Sequence, residues 1–466
     1  MRSDDPLVRA RVRIGEVEMV EIRAFRALRY APSLSVSLSD VVAPPYDVIG
    51  AAELRRLWER DPYNVVRLIL PAGDLAPSQR EQGYHLAHTR LRTWKERGVL
   101  IPDVQPSLYL YQQRFRLPNG EARTRQGFFA LARLTEWGEG IYRHELTLPG
   151  PVSDRIRLLA ACQANLCGIF GLYRDPQQEV TSLLAAQAHG RPPLGEAVDD
   201  QGVWHGLWQI TDPHVVQRVT RLLAGRPVIV ADGHHRYTAA LQYRNRQRLA
   251  HPNGAHAAPW DYVLFYLGAF EDPGLVILPT HQVLHTLGGF TPGGFAGQMR
   301  RRFLVSEEPA LAAMLEKLAR LAAAPEVVMG AVVPGTRYYL LQAERPEVPG
   351  APEESLDVSV LRRWVVEPLL QQHAPGAALE EHLRYTHEAA EAAAWVSTGQ
   401  ADVAFILRPT PLAQVQSVAL AHRVMPQKST YFYPKLLSGL VFYDYSQGSH
   451  HVPPQPEEMA AALQAY

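Results

Sequence analysis

Apolar and polar positions change period several times along the 466 residues, and each change marks an element. Near the front, SDVVAPPYDVIG (39–50) and YNVVRLILPAG (63–73) read as turns between strands. Pro44-Pro45 forbids helix in the first, and Pro71 ends the apolar run of the second. Over 80–100, Tyr84, Leu91 and Trp94 recur at helical spacing, with Gly98 placed as a stop. Leu108, Leu110, Phe115 and Leu117 then alternate around Pro-Asn-Gly, which predicts a hairpin within 107–134.

Further on, VWHGLWQI (203–210) reads as a strand, 213–225 as a helix closed by Gly225, and RPVIVADG (226–233) as a buried strand. A loop at 251–259 precedes the apolar run 260–270. Strands alternating with helices predict a mixed α/β arrangement with crossovers. Gly- and Pro-rich breaks at 288–297 and 344–355 flank an Ala/Leu-rich helix at 307–324. That shift of composition divides the chain into a core (20–285), a C-terminal α/β domain (286–446) and a tail (447–466). The apolar strand VAFIL (403–407) leads into a loop bearing tyrosines and lysines. No repeat of solenoid length and no low-complexity segment interrupts the pattern.

Charge narrows the classes of partner. Lys plus Arg and Asp plus Glu both total 47, so no overall field recruits nucleic acid or an anionic membrane. Apolar residues make up 47%, and no run approaches the ~20 that span a bilayer. The first residues are too charged for a secretory signal. Cys162 and Cys167 fit neither a disulfide framework nor a four-ligand zinc site. A cytoplasmic location is expected. P-loop and dinucleotide signatures are absent, as are H-E-x-x-H and G-x-S-x-G.

VIVADGHHRYTAAL (228–241) is the stretch that most needs explaining. A buried strand ends at Asp232-Gly233, and a helix starts near His235. Unpaired amides at a helix N-terminus, with Arg236 as a bidentate donor beside them, make a phosphate cradle without a Walker motif. The candidate phosphate-binding residues are Asp232, Gly233, His234, His235, Arg236 and Tyr237. The alternative is an Asp232 N-cap with the basic residues solvated. Neighbouring histidines of a helix point apart, which disfavours a metal pair.

Two further clusters carry candidate chemistry. In YRHELTLPGPVSDRIRLL, Arg143, His144 and Glu145 sit together, and Asp154 and Arg155 open an apolar helix; a carboxylate in such company suits a general base. In MPQKSTYFYPKLLSGL, Lys428 and Lys435 are able to neutralise phosphate among tyrosines that stack or donate hydrogen bonds. Tyr46 and Asp47 follow the rigid diproline, and Asp47 suits Mg²⁺, a ribose or an amino group. Surface charge pairs, an Asx-turn and aromatic packing are the competing structural readings. His281 and His285 lack a third ligand and are a weak metal signal.

VVAPPYDVI, NVVRLILP, RHELT with DRIRLL, ADGHHRYTAAL, ILPTH and MPQKSTYFYPK together resemble, in order over roughly residues 22–442, the bacterial and archaeal family labelled domain of unknown function 1015. The resemblance implies a ParB/sulfiredoxin-like nucleotide-binding core with an additional C-terminal α/β domain. In that fold a Gly-x-x-Arg turn binds nucleotide phosphates, matched here by Gly233, His234, His235 and Arg236. Sulfiredoxin's turn carries a cysteine where this chain has histidine, and nothing after 286 reads as the DNA module of ParB proteins.

The expectation is therefore a nucleotide-dependent small-molecule kinase that phosphorylates free L-serine to O-phosphoserine. ATP or another nucleotide would be the donor, with Mg²⁺ held through Asp47 or Asp232. Glu145 would be the base, flanked by Arg143 and His144. Tyr46, Asp47, Thr147, Asp154, Arg155, Lys428 and Lys435 would serve as substrate or accessory residues. A CTP- or ATP-bound regulatory switch is the alternative, and a nucleic-acid-associated ParB-like protein ranks last. The expected partners are a nucleotide and an amino acid, with no membrane and no nucleic acid; a homodimer is left open.

Overall fold

Leu108–Arg116 and Ala122–Arg133 form the hairpin that Pro-Asn-Gly announces. Gly120 closes its turn at φ 85°, where a glycine lacks the steric penalty of other residues. The computed structural model describes residues 20–34, 36–73, 79–252 and 257–447. The charged N-terminal stretch, the tip of the 251–259 loop and, apart from Gln447, the 447–466 tail lie outside the described residues.

Contacts divide the chain into two units. The first takes the described residues up to Tyr142, Thr147–Gly274 and those from Pro434 on; the second takes Arg143–Leu146 and Leu275–Tyr433. Composition places a boundary near 286, whereas the main division by contacts runs between 274 and 275.

The first unit is built on a nine-stranded mixed sheet. Its order is Ile141–Tyr142, Val228–Asp232, Ile169–Tyr173, Tyr262–Ala269, Ala122–Arg133, Leu108–Arg116, Trp204–Ile210 and Gly195–Val198, with Ile22–Arg23 also on Ala122–Arg133. Val228–Asp232 runs parallel to Ile141–Tyr142 and antiparallel to Ile169–Tyr173, which is itself parallel to Tyr262–Ala269. The helices Pro149–Cys162 and His234–Ala250 pack together through Val152, Ile156 and Ala239. The sequence expectations for Arg80–Glu96, Pro213–Leu223 and Trp204–Ile210 match the elements found.

Two front segments differ from expectation. The diproline turn joins helices, Leu38–Val41 and Ala51–Arg60, and not strands. YNVVRLILPAG holds a helical turn, Val66–Ile69. Asn64 explains it. Its fully buried side chain accepts from the Val66 amide at 2.9 Å and donates to the carbonyls of Asp40 at 2.7 Å and Val42 at 3.0 Å. That bond to the amide two residues on bends the chain just ahead of the helix, in a run whose apolar pattern does not by itself distinguish helix from strand.

The second unit holds a six-stranded antiparallel sheet. Its order is Leu304–Glu308, Arg337–Ala343, Val327–Val333, Val403–Leu407, His281–Leu284 and Leu383–Thr386. Met314 and Leu318 of one helix and Ala392 and Val396 of another pack on Val283, Val328, Val332, Ala404 and Ile406. Among the described residues no helix is long and apolar enough to cross a membrane.

Sheet packing in the first unit leaves no room at Gly127, where a Cβ would lie 2.4 Å from the Leu267 carbonyl oxygen and 2.6 Å from Tyr266 Cζ. Gly127→Ala is expected to lower stability by about 1–3 kcal/mol or more, as overpacking does. Urea denaturation checks this, and an unchanged midpoint would contradict the packing described.

Candidate functional site

The polar cluster begins where a strand is made to end abruptly. Val228, Ile229, Val230 and Ala231 are buried, and pairing with Ile169–Tyr173 slips by one residue between Val230 and Asp232. Such a bulge bends the strand. Gly233 follows at φ 99°, a conformation that disfavours any residue with a Cβ. The helix His234–Ala250 then starts with no side chain capping its first turn, so Asp232 is not its N-cap. Its leading amides and partial positive charge face outward from the helix end.

Arg236 folds back across this turn. A Cβ on Gly233 would stand 3.0 Å from the guanidinium carbon. Nη1 donates to the Gly168 carbonyl, Nη2 lies 3.7 Å from Asp232 Oδ1, and Nε is buried without a hydrogen-bond partner. From a distant part of the chain, Lys435 Nζ donates to Asp232 Oδ2 at 3.1 Å. One carboxylate thus faces two cations beside a helix N-terminus. Burial alone would raise the Asp232 carboxyl, but Lys435 and Arg236 override it and hold the group well below the usual carboxylate range. Burial works against charge on Arg236, and Asp232 together with Cys167, Asp47 and Tyr46 more than restores it.

His235 has a defined tautomer when neutral. Its Nε2 accepts the Leu148 amide at 3.0 Å, so the ring proton sits on Nδ1 as a donor. Burial lowers its pKa, opposed by the Asp47 charge. His234 is buried near Trp137, and Tyr237 is fully buried with its hydroxyl bonded to the Thr135 carbonyl at 2.8 Å. Both therefore belong to the support of the turn. Asp47 is exposed, and its charge acts on Arg236 and Tyr46 as well as on His235.

Buried Arg155 pairs with half-buried Asp154. Asp154 accepts from Tyr84 at 2.6 Å and from Arg155 Nε at 2.8 Å, and Arg155 also reaches the Ile69 carbonyl at 3.0 Å. The same guanidinium lies 3.9 Å from the centre of the Tyr46 ring. Burial pushes the Tyr46 phenol up to about 12 against the pull of that cation. A cavity of about 50 Å³ is lined by both Arg155 and Arg236 together with Cys167, whose Sγ is 3.0 Å from Ser438 Oγ. Thr147 lines a separate open groove of about 370 Å³ with Ser153, Thr238 and Gln242.

Arg143, His144 and Glu145 belong to the second unit, where they meet the first half of QKSTYFYPK. His144 Nε2 lies 3.0 Å from Thr430 Oγ1, and its carbonyl accepts the Met425 amide at 2.8 Å. Glu145 Oε1 accepts the Lys428 amide at 3.2 Å. Lys428 itself sits at φ 57°, a left-handed conformation, with Nζ 5.0 Å from the Tyr385 ring centre. The carboxylate thus braces a strained turn. A cavity of about 200 Å³ in this unit is lined by Lys428, Arg345 and Arg408. Its guanidiniums are committed to Asp357 and to the carbonyls of residues including Leu321, Glu326 and Ser355, so they act as structural ties.

With this geometry established, similarity to known proteins adds one firm fact. A family model described as protein of unknown function (DUF1015) matches residues 22–359. The chain belongs to the DUF1015 family. No curated protein matches it. Among solved structures, a variant of a free serine kinase in complex with AMP is 11% identical, with a TM-score of 0.34, over 65% of this chain and 87% of that one. A conserved hypothetical protein from Pyrococcus furiosus is 13% identical at 0.34, over 69% and 97%. SbnI from Staphylococcus aureus, truncated at its C-terminus, is 12% identical at 0.34, over 72% and 94%.

In this DUF1015 protein the sequence motifs sort into two sets. Tyr46, Asp47, Thr147, Asp154, Arg155, Asp232–Tyr237 and Lys435 lie in the first unit, and Arg143–Glu145 and Lys428 in the second. Sequence reasoning missed the Gly168 carbonyl that holds Arg236, because a backbone acceptor leaves no compositional trace. It missed Gln113 and Arg125 too, though polar residues inside the alternating strands YQQRF and RTRQGFF were a signal.

The depressed Asp232 pKa has a definite sign. Its pairing stabilises the fold above the unfolded value of about 4 and is lost as pH falls toward the folded value. Asp232→Asn is expected to lower stability at pH 7 by roughly 1–3 kcal/mol. The gap to the parent, read from urea midpoints, narrows below about pH 4; a gap independent of pH would contradict the pairing.

Proposed function

We propose that the first unit binds a nucleotide through its phosphates and that the protein is a nucleotide-dependent small-molecule kinase, with free L-serine as acceptor and O-phosphoserine as product. The observation that carries the reading is Arg236, whose guanidinium lies over Gly233 at an uncapped helix start with Nε unpartnered. A phosphate bound there would take the orphaned donor, the helix amides and the field of Lys435 together. His235 would add its Nδ1 proton.

Phosphoryl transfer depends chiefly on positioning and on neutralising charge, and this donor set is suited to both. The serine hydroxyl oxygen forms a bond to the terminal phosphorus while the bond from that phosphorus to the bridging oxygen breaks and the shortened nucleotide leaves. The hydroxyl proton is given up to water as that bond forms. Mg²⁺ commonly takes one or two carboxylates, several waters and the phosphates themselves. Exposed Asp47 fits that role better than Asp232, whose oxygens already face Lys435 and Arg236. When bound, Mg²⁺ would supply charge neutralisation on the phosphates.

The test is ³¹P NMR of the protein with Mg²⁺, L-serine and ATP, ADP, CTP or pyrophosphate in turn, beside calorimetric titration of each nucleotide. Phosphoserine is expected, with Arg236→Ala abolishing nucleotide binding and phosphoserine formation together. Binding that survives Arg236→Ala would remove the site. Binding that needs Arg236 but yields no phosphoserine would overturn the serine kinase and favour a nucleotide-bound switch.

A further inference from the structure

Lys435 reaches Asp232 from Pro434–Leu437, a stretch that is neither helix nor strand. A lysine on such a segment has four rotatable carbons and no local structure to aim it, so something else must hold its main chain. Three side chains of the first unit's sheet do so. Arg125 Nη2 donates to the Pro434 carbonyl, Gln113 Nε2 donates to the Lys435 carbonyl at 2.8 Å, and the Leu437 amide donates to the Tyr111 hydroxyl at 3.4 Å. Their residues are 1%, 0% and 0% exposed, on the adjacent strands Leu108–Arg116 and Ala122–Arg133.

The three are themselves ordered from behind. Gln113 Oε1 accepts Arg125 Nε at 3.0 Å, which turns the amide so that its NH₂ faces Lys435. The Arg125 guanidinium also lies 4.9 Å from the centre of the Phe170 ring. Asp199 Oδ2 stands 3.1 Å from His205 Nε2, so that nitrogen carries a proton and Nδ1 accepts from Tyr111 at 2.6 Å. The Tyr111 proton is thereby committed, and its oxygen is left to accept from Leu437. Burying so many polar groups in a sheet is unfavourable unless each is paired, and here they converge on three of the four residues Pro434–Leu437.

We infer that Gln113 and Arg125 are positioning residues for Lys435, fixing the backbone on either side of its side chain so that the ammonium stands at Asp232 and meets the ligand's phosphates. The second half of this statement rests on the nucleotide-binding reading above; the first does not.

Gln113→Glu is the decisive variant. The carboxylate still accepts from Arg125, so that contact persists, but it can no longer donate to the Lys435 carbonyl and repels it. Titration with ADP and with pyrophosphate is expected to show affinity reduced about tenfold, the scale of a lost buried hydrogen bond, while in a Lys435→Ala background the same change has no further effect. An equal loss in both backgrounds would mean a general structural role and overturn the inference. Acetylation of Lys435, followed by mass spectrometry without any ligand, separates the two readings. Faster modification in Gln113→Glu supports the positioning role even where wild-type protein binds neither probe, a result that would sink the nucleotide reading alone. An unchanged rate overturns the positioning role whatever the titrations give.

Discussion

One carboxylate shared by two cations organises the first unit's polar centre. Asp232 ends a buried strand and would be held there at a penalty without Lys435 at 3.1 Å and Arg236 at 3.7 Å. The partners come from different directions. Arg236 arrives from the first turn of the helix that follows, and Lys435 from two hundred residues further along the chain. Asp232 therefore joins a local motif to a distant segment, and the bulge and Gly233 exist in the fold at the point where that joining requires a sharp change of direction.

Around it, the first unit uses side chains in two distinct ways. His234, Tyr237, Asp154 and Arg155 spend their polar groups or rings on holding neighbouring segments in place. Arg236 Nε and His235 Nδ1 point to work still to be done, the first as an unpartnered buried donor, the second as a proton placed by the Leu148 amide. The proposed anion cradle rests on that separation, which a saturated structural network lacks. The second unit supplies the contrast: Arg345 and Arg408 are charged and cavity-lining, yet their donors are taken up by Asp357 and backbone carbonyls.

QKSTYFYPK shows how one motif divides its residues. Lys428 belongs with Glu145, whose carboxylate steadies a left-handed turn, and Lys435 belongs with Asp232. Read along the chain, the two lysines look equivalent. Their carbonyl and amide partners make them different, because Lys428 is gripped by its own amide and Lys435 by the carbonyls at and before it.

Much of the architecture was legible in the residues. Alternation around Pro-Asn-Gly specifies a hairpin, helical spacing ahead of Gly98 and Gly225 specifies helices, and ADGHHR specifies a strand, a sharp turn and a helix start, because these follow from steric and solvation rules acting over a few positions. The Asn64 turn, which bends an apolar run just ahead of a helix, lies at the edge of what such rules reveal. The grip of Gln113 and Arg125 on Pro434 and Lys435, the Gly168 carbonyl on Arg236, and the pairing of Lys435 with Asp232 were decided by tertiary structure alone. The first two join distant positions through backbone atoms that every residue possesses, and the third pairs two side chains 203 residues apart, so no local pattern along the chain encodes them.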